Sequence, residues 1–141
     1  MYLDTSYIAK FYFNEPDSAR VRKLVRGADT IHSSLWAWAE FHAVVHRRLR
    51  EGSATPGDAR ALTSRFSEHV EAGLWNLIPI TEALLRRTST LIVSAPVNLF
   101  IRTADAVHLA TAHQIGEREV WTNDRHMLAA ASYFGLTGWS V

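Results

Sequence analysis

Apolar and polar positions along the 141-residue chain follow two alternating rhythms. Short apolar or β-branched runs at Met1–Asp4, Thr30–Ser33, Leu74–Ile80, Glu119–Thr122 and Leu136–Val141 read as strands. Between them lie stretches with apolar residues at helical spacing: Ser6–Phe13, Pro16–Arg26, Ser34–Arg50, Thr55 to Ala72, Glu82–Ser94, Arg102–Ile115 and Arg125–Phe134. Local signals punctuate these stretches. Thr55-Pro56-Gly57-Asp58 combines a capping hydroxyl, Pro at the first helical position and an acid in the first turn. Gly52 and Gly116 end helices, Thr81 caps one, and Pro96 interrupts the chain. Strands that alternate with helices over the whole length predict an α/β fold. Its sheet is mostly parallel with helices on both faces. With no internal repeat and no long Pro/Gly/Ser linker, residues 1–141 are expected to form a single domain.

Ligands of such sheets bind outside the carboxyl ends of the strands, where the strand order reverses. Asp4 ends the first predicted strand and Asp124 follows the fourth, so both fall at that edge. Each can also act simply as an N-cap for the helix that follows. Asp105 lies in the first turn of its helix, where the dipole favours an acid, and Thr103 is the expected cap. Glu40 stands inside "LWAWAEFHAVV", with Trp36, Ala37, Ala43 and Val44 one turn away. A carboxylate on an apolar face calls for a partner, a proton or a metal, unless it reaches water at the edge of the stripe.

Composition narrows the chemistry. No cysteine is present, which removes disulfides, thiolate zinc sites and cysteine nucleophiles. The net charge of +1 gives no global basic character. No apolar run approaches the ~18–20 residues of a membrane span, and no leader-like segment opens the chain, so a cytoplasmic protein is expected. Four converging carboxylates repel one another unless cations neutralise them, so a raised pKa is expected at Asp4 or Asp105 in the metal-free site. Oxygen ligands without cysteine favour Mg²⁺ or Mn²⁺. A metal-bound water attacking a phosphodiester is the matching chemistry.

"MYLDTS", the acid in "WAWAEFHAVVHRRL", "RTADAVHLATA" and "VWTNDRHML" together resemble PIN-domain ribonucleases, specifically the VapC-type toxins of prokaryotic toxin–antitoxin pairs. The resemblance covers essentially the whole chain, and the R-x-x-D-A-x-H-L-A stretch followed by T-x-D carries most of its specificity. It implies a three-layer α/β/α sandwich with four or five strands. It implies catalytic acids at Asp4, Glu40, Asp105 and Asp124, with metal held by Asp4, Asp105 and Asp124. Supporting or substrate-facing roles fall to Ser6, Thr122, Asn123 and Arg102. The activity implied is Mg²⁺- or Mn²⁺-dependent endonucleolytic cleavage of RNA. The partners implied are an RNA substrate, a cognate antitoxin and a second copy of the chain.

His42 and His46, at i and i+4, have a spacing that can bind zinc, but no third ligand stands near them in sequence. His108, one turn after Asp105, is expected to be structural. The arginines of "HRRLR" at 46–50, Arg86, Arg87, Arg102 and Arg125 are candidates for gripping a phosphate backbone, although Arg102, one turn before Asp105, can instead pair with a carboxylate. The aromatics of "KFYF" at 10–13, with Trp36 and Trp38, are read as core or as a dimer or antitoxin surface. A phosphotransfer receiver would want paired acids and a late lysine, and both lysines here precede residue 24. A flap nuclease would need more substrate-binding apparatus. The rival of a different class is a catalytically inert PIN-like interaction module.

Overall fold

The computed structural model describes residues 1–141. Its strands are β1 (Tyr2–Leu3), β2 (His32–Ser34), β3 (Asn76–Ile78), β4 (Glu119–Trp121) and β5 (Thr137–Trp139). They form one sheet in the order β3-β2-β1-β4-β5, and every pairing is parallel. The central β1 places Tyr2 opposite both His32 and Val120. The order reverses beside β1, which neighbours β2 on one side and β4 on the other. The edge expected to bind ligand therefore lies just past Leu3 and Trp121.

Four helices cover one face: α1 (Thr5–Tyr12), α2 (Ser18–Arg26), α3 (Trp36–Arg50) and α4 (Pro56–Glu71). Three cover the other: α5 (Glu82–Val93), α6 (Thr103–Gln114) and α7 (Arg125–Ala131). The pleat of β1 feeds both layers. Leu3 packs with Ile8, Val21, Phe41 and Phe66 on the first face, while Tyr2 packs with Leu84, Leu109, Val120 and Met127 on the second. This is the expected three-layer α/β/α sandwich.

Helix starts follow local chemistry. Thr55 and Asp58 form a reciprocal capping box at the start of α4, and the Thr81 hydroxyl accepts the Leu84 N–H at the start of α5. Three readings needed correction. The helix expected from Pro16 begins at Ser18, because Asp17 adopts a left-handed conformation (φ 70°) that no helix continues through. Arg125–Phe134 is not one helix; α7 ends at Ala131, and Ser132–Phe134 is a 3₁₀ turn closed by Gly135 at φ 75°. Finally, of the two readings of "KFYF", the docking surface falls and the core holds. Phe13 is buried, and Phe11 and Tyr12 pack against Phe41, Phe66 and Trp75. The Tyr12 hydroxyl accepts the indole N–H of Trp75 at 2.7 Å and meets His69 Nδ1 at 2.7 Å. Phe41 and Phe66 stack at 4.4 Å beneath them, and truncating either to Ala should cost about 3–5 kcal/mol.

Candidate active site

The two strand-end acids are N-caps and pocket residues at once. The Asp4 carboxylate accepts the Tyr7 N–H at 3.0 Å, which starts α1. Asp124 accepts the N–H groups of His126 (2.8 Å) and Met127 (3.2 Å), which starts α7. Capping fixes the carboxylates instead of diverting them. Both line one cavity of about 380 Å³, together with Thr5, Ser6, Glu40, Arg47, Arg102, Asp105 and His108. The four acids predicted from the sequence thus share a single pocket at the switch point of the sheet.

Two hydroxyls support Asp4. Ser6 donates to its oxygens at 2.7 and 2.9 Å. Thr122 is fully buried and donates to Oδ2 at 2.6 Å, while its own oxygen accepts the Asp124 N–H at 2.9 Å. Burial pushes the Asp4 carboxyl above its ordinary range, against the lowering effect of the Thr122 and Ser6 hydroxyls. The direction is the one expected for this site, but the leading cause is desolvation rather than like-charge repulsion.

Asp105 and Asp124 are held differently. Arg102 donates through Nε to Asp105 Oδ2 at 2.8 Å and through its second nitrogen to Asp124 Oδ2. At Asp124 burial works upward, but the Arg102 hydrogen bond and the helix N–H groups prevail and hold its carboxyl below the usual range. The same pairing raises the Arg102 guanidinium above its ordinary value. Arg102 rather than Thr103 occupies the N-cap position of α6, in an extended conformation and without a side-chain cap. Its guanidinium has turned to the acids.

Glu40 projects from α3 into the same pocket, beside the Ala37–Phe41–Val45 stripe that faces the core. The Thr5 hydroxyl donates to its Oε2, and His108 Nε2 lies 2.9 Å from the same oxygen. Burial works upward here too, but the hydrogen bonds from His108 and Thr5 prevail, so its carboxyl sits below the usual range.

Other candidates fall elsewhere. Asn123 is exposed and accepts the Tyr7 hydroxyl at 2.8 Å, so it braces α1 instead of facing the pocket. Arg48 pairs with Glu15 and lies 4.0 Å over the Phe13 ring, and Arg86 pairs with Glu82 on the surface. Among the candidate arginines only Arg47 and Arg102 line the cavity. His42 meets the Trp38 carbonyl at 2.7 Å. Thr5 and His108 were missed as site residues. The only sequence signal for either was the position of His108 one turn beyond Asp105.

The oxygen donors suit a hard divalent cation: four carboxylates, with the Thr5 and Ser6 hydroxyls beside them. A single guanidinium already reaches both Asp105 and Asp124, which shows that the two can share one cation. As the side chains lie, no three acidic or histidine groups close to coordination distance around one point. A metal ion at Asp105 and Asp124 would compete with Arg102 for their Oδ2 oxygens.

Comparison with known proteins agrees with this architecture. The family model described as PIN domain matches residues 1–132. Ribonuclease VapC46 of Mycobacterium tuberculosis is 32% identical over 138 residues, which span 96% of this chain and 93% of that protein. Among solved structures, Mycobacterium tuberculosis VapC20, a Sarcin-Ricin loop cleaving toxin, superposes with a TM-score of 0.73 at 16% identity, over 92% of this chain and 93% of that one. FitAcB from Neisseria gonorrhoeae superposes with a TM-score of 0.74 at 19% identity, over 98% of this chain and 95% of that one.

Proposed function

The chain belongs to the PIN-domain family, and from that premise we propose that it is a metal-dependent endoribonuclease, the toxin of a type II toxin–antitoxin pair. The observation that carries this reading is the gathering of Asp4, Glu40, Asp105 and Asp124 around one cavity, with two of them already sharing a cation. The ribonuclease among its relatives supports RNA as substrate.

In this reading Asp4, Asp105 and Asp124 hold Mg²⁺ or Mn²⁺. When bound, the ion supplies Lewis-acid polarisation of the scissile phosphate and a water of lowered pKa. The chain's own groups do the rest. Ser6 and Thr122 fix the orientation of Asp4, as hydrogen-bonded outer partners do in metal sites. Glu40, kept as an anion, orients and accepts a hydrogen bond from the attacking water. Arg102, released from the acids, and Arg47 at the rim grip the backbone phosphates.

The reading extends to partners. A cationic side chain of an antitoxin would be received by the acids as Arg102 is. The exposed apolar side chains Leu35, Trp36 and Trp38 offer surface for a second copy of the chain. No helix is long and apolar enough to cross a membrane, and we place the activity in the cytoplasm. The test is the purified protein on a mixed RNA pool with Mg²⁺, Mn²⁺ or EDTA, with the cut ends mapped. Internal cuts that need metal support the reading. Undiminished cutting in excess EDTA, or none in any condition, refutes it. For the dimer, light scattering at high micromolar concentration should give twice the chain mass, and a monomer refutes that part.

A further inference from the structure

His108 is the one histidine buried among these acids. It lies on α6, in a run from Ala106 to Ala112 that is buried at every position. A leucine would fill such a place without needing partners, whereas a buried imidazole has to satisfy two nitrogens. Both are satisfied, and from different layers of the fold. Nδ1 meets the hydroxyl of Tyr2 on the central strand at 2.9 Å. Nε2 meets Glu40 Oε2 on α3 at 2.9 Å and Thr5 Oγ1 on α1 at 3.2 Å.

The donor direction at Nε2 is determined by chemistry. Ionised Glu40 only accepts, so Nε2 carries a proton toward it. Burial raises the Tyr2 phenol well above its ordinary range, so it keeps its proton and stays a neutral partner of Nδ1. The Thr5 hydroxyl donates to the same Glu40 oxygen. A hydrogen-bonded chain therefore links Tyr2, His108 and Glu40, beginning in the core and ending in the cavity. Glu40 needs such an anchor. It sits beside the buried stripe of α3 with its side chain 29% exposed, and an unheld glutamate would sample several rotamers toward solvent. His108, with only 3% of its side chain exposed, has a single place to be.

We propose that His108, backed by Tyr2, is a positioning residue that holds the Glu40 carboxylate in its cavity-facing orientation for RNA cleavage. Its hydrogen bonds go to Tyr2, Thr5 and Glu40 and to none of the three metal-holding aspartates, so it acts through Glu40. The proposal rests on the endoribonuclease reading above.

The test is a double-mutant cycle on kcat with His108→Leu and Glu40→Gln in the full-length protein, with Mn²⁺ affinity followed by calorimetry. His108→Leu should lower kcat about 10- to 100-fold, the usual cost of losing such an outer partner. KM for RNA and the Mn²⁺ Kd should stay near wild type. In the Glu40→Gln background the same change should cost little more, because the group it positions is already disabled. His108→Gln, which keeps an N–H near the Nε2 position, should restore much of the rate. If the Leu variant does not fold, His108→Asn, too short to reach Glu40, takes its place in the cycle. Additive losses, a wild-type kcat in His108→Leu, or an effect confined to KM or metal affinity would overturn the proposal, since a general structural role would produce them. A wild-type protein that leaves RNA uncut overturns the endoribonuclease reading and this proposal together, whereas a metal-dependent wild type with an additive cycle overturns this one alone.

Discussion

Asp4 and Asp124 occupy equivalent places and live in opposite environments. Each follows a central strand, each caps the next helix, and each faces the same cavity. Asp4 is almost fully buried and meets only neutral donors, so its charge is a cost that burial imposes on the fold. Asp124 is partly exposed and shares the Arg102 guanidinium with Asp105, so its charge is compensated. The cavity thus has a buried corner lacking a cation and an outer corner that already holds one. A divalent ion entering between them gains most from the first and must displace an arginine from the second.

The largest expected effect comes from removing the acid that the ion and Arg102 would contest. Asp105→Asn should lower RNA cleavage by about 10³-fold or more, the order seen when a group central to transition-state electrostatics is lost. It should also weaken Mn²⁺ binding in calorimetry. A variant that cuts at even a tenth of the wild-type rate would remove Asp105 from the reaction.

Salt should act on the outer corner. If Arg102 and Arg47 each take one phosphate of single-stranded RNA, raising salt from about 50 to about 200 mM should reduce cleavage at low RNA concentration about sevenfold. A flat salt response would show that these arginines do not grip the backbone. Arg102→Gln should have a smaller effect of opposite kind on the ion. Freed of its competitor, the site should bind Mn²⁺ about fivefold more tightly, the equivalent of about 1 kcal/mol for an exposed pair. Unchanged or weaker binding would mean that Arg102 organises the acids instead of competing for them.

The smallest effect separates the corners by sign. Asp4 has a raised folded-state pKa, so its stabilising contribution is complete below about pH 4 and is lost as pH rises through the folded value. Asp124 has a lowered one, so its contribution is present above about pH 4 and is lost as pH falls through the folded value. Without metal at pH 7, Asp4→Asn should melt at or above wild type, while Asp124→Asn should melt about 2–4 °C lower. The Asp4 difference should shrink as pH falls below about 4, and the Asp124 difference as pH falls further, through its lowered folded value. Matching signs at pH 7 would erase the distinction between the corners.

The alternation of strands and helices was legible in the sequence, because parallel strands buried on both faces and amphipathic helices leave different periodicities. So were the four acids, since Asp4 and Asp124 end their runs and Glu40 interrupts an apolar face. What escaped is what depends on distant partners. Tyr12 could be core or docking surface until Trp75 and His69, 63 and 57 residues away, supplied its hydroxyl with company. The pairing of Arg102 with a carboxylate was legible from Asp105 one turn on, but its second partner, Asp124, 22 residues away, was not. His108 gave no hint of Tyr2, 106 residues distant, or of Glu40, 68 distant. Asn123 shared the motif of its neighbours, but past the end of β4 Thr122 is buried against Asp4 while Asn123 is exposed and held by the Tyr7 hydroxyl.

The most direct measurement puts wild type, Asp4→Asn and Asp124→Asn side by side on one RNA substrate in Mn²⁺, with cleavage rate and metal-free melting temperature read from the same preparations. The account predicts that both variants lose cleavage by orders of magnitude while remaining folded, with Asp4→Asn melting at or above wild type and Asp124→Asn below it. Either variant cutting RNA at the wild-type rate would contradict it, because the cavity that the two strand ends build would then not be where RNA is cut.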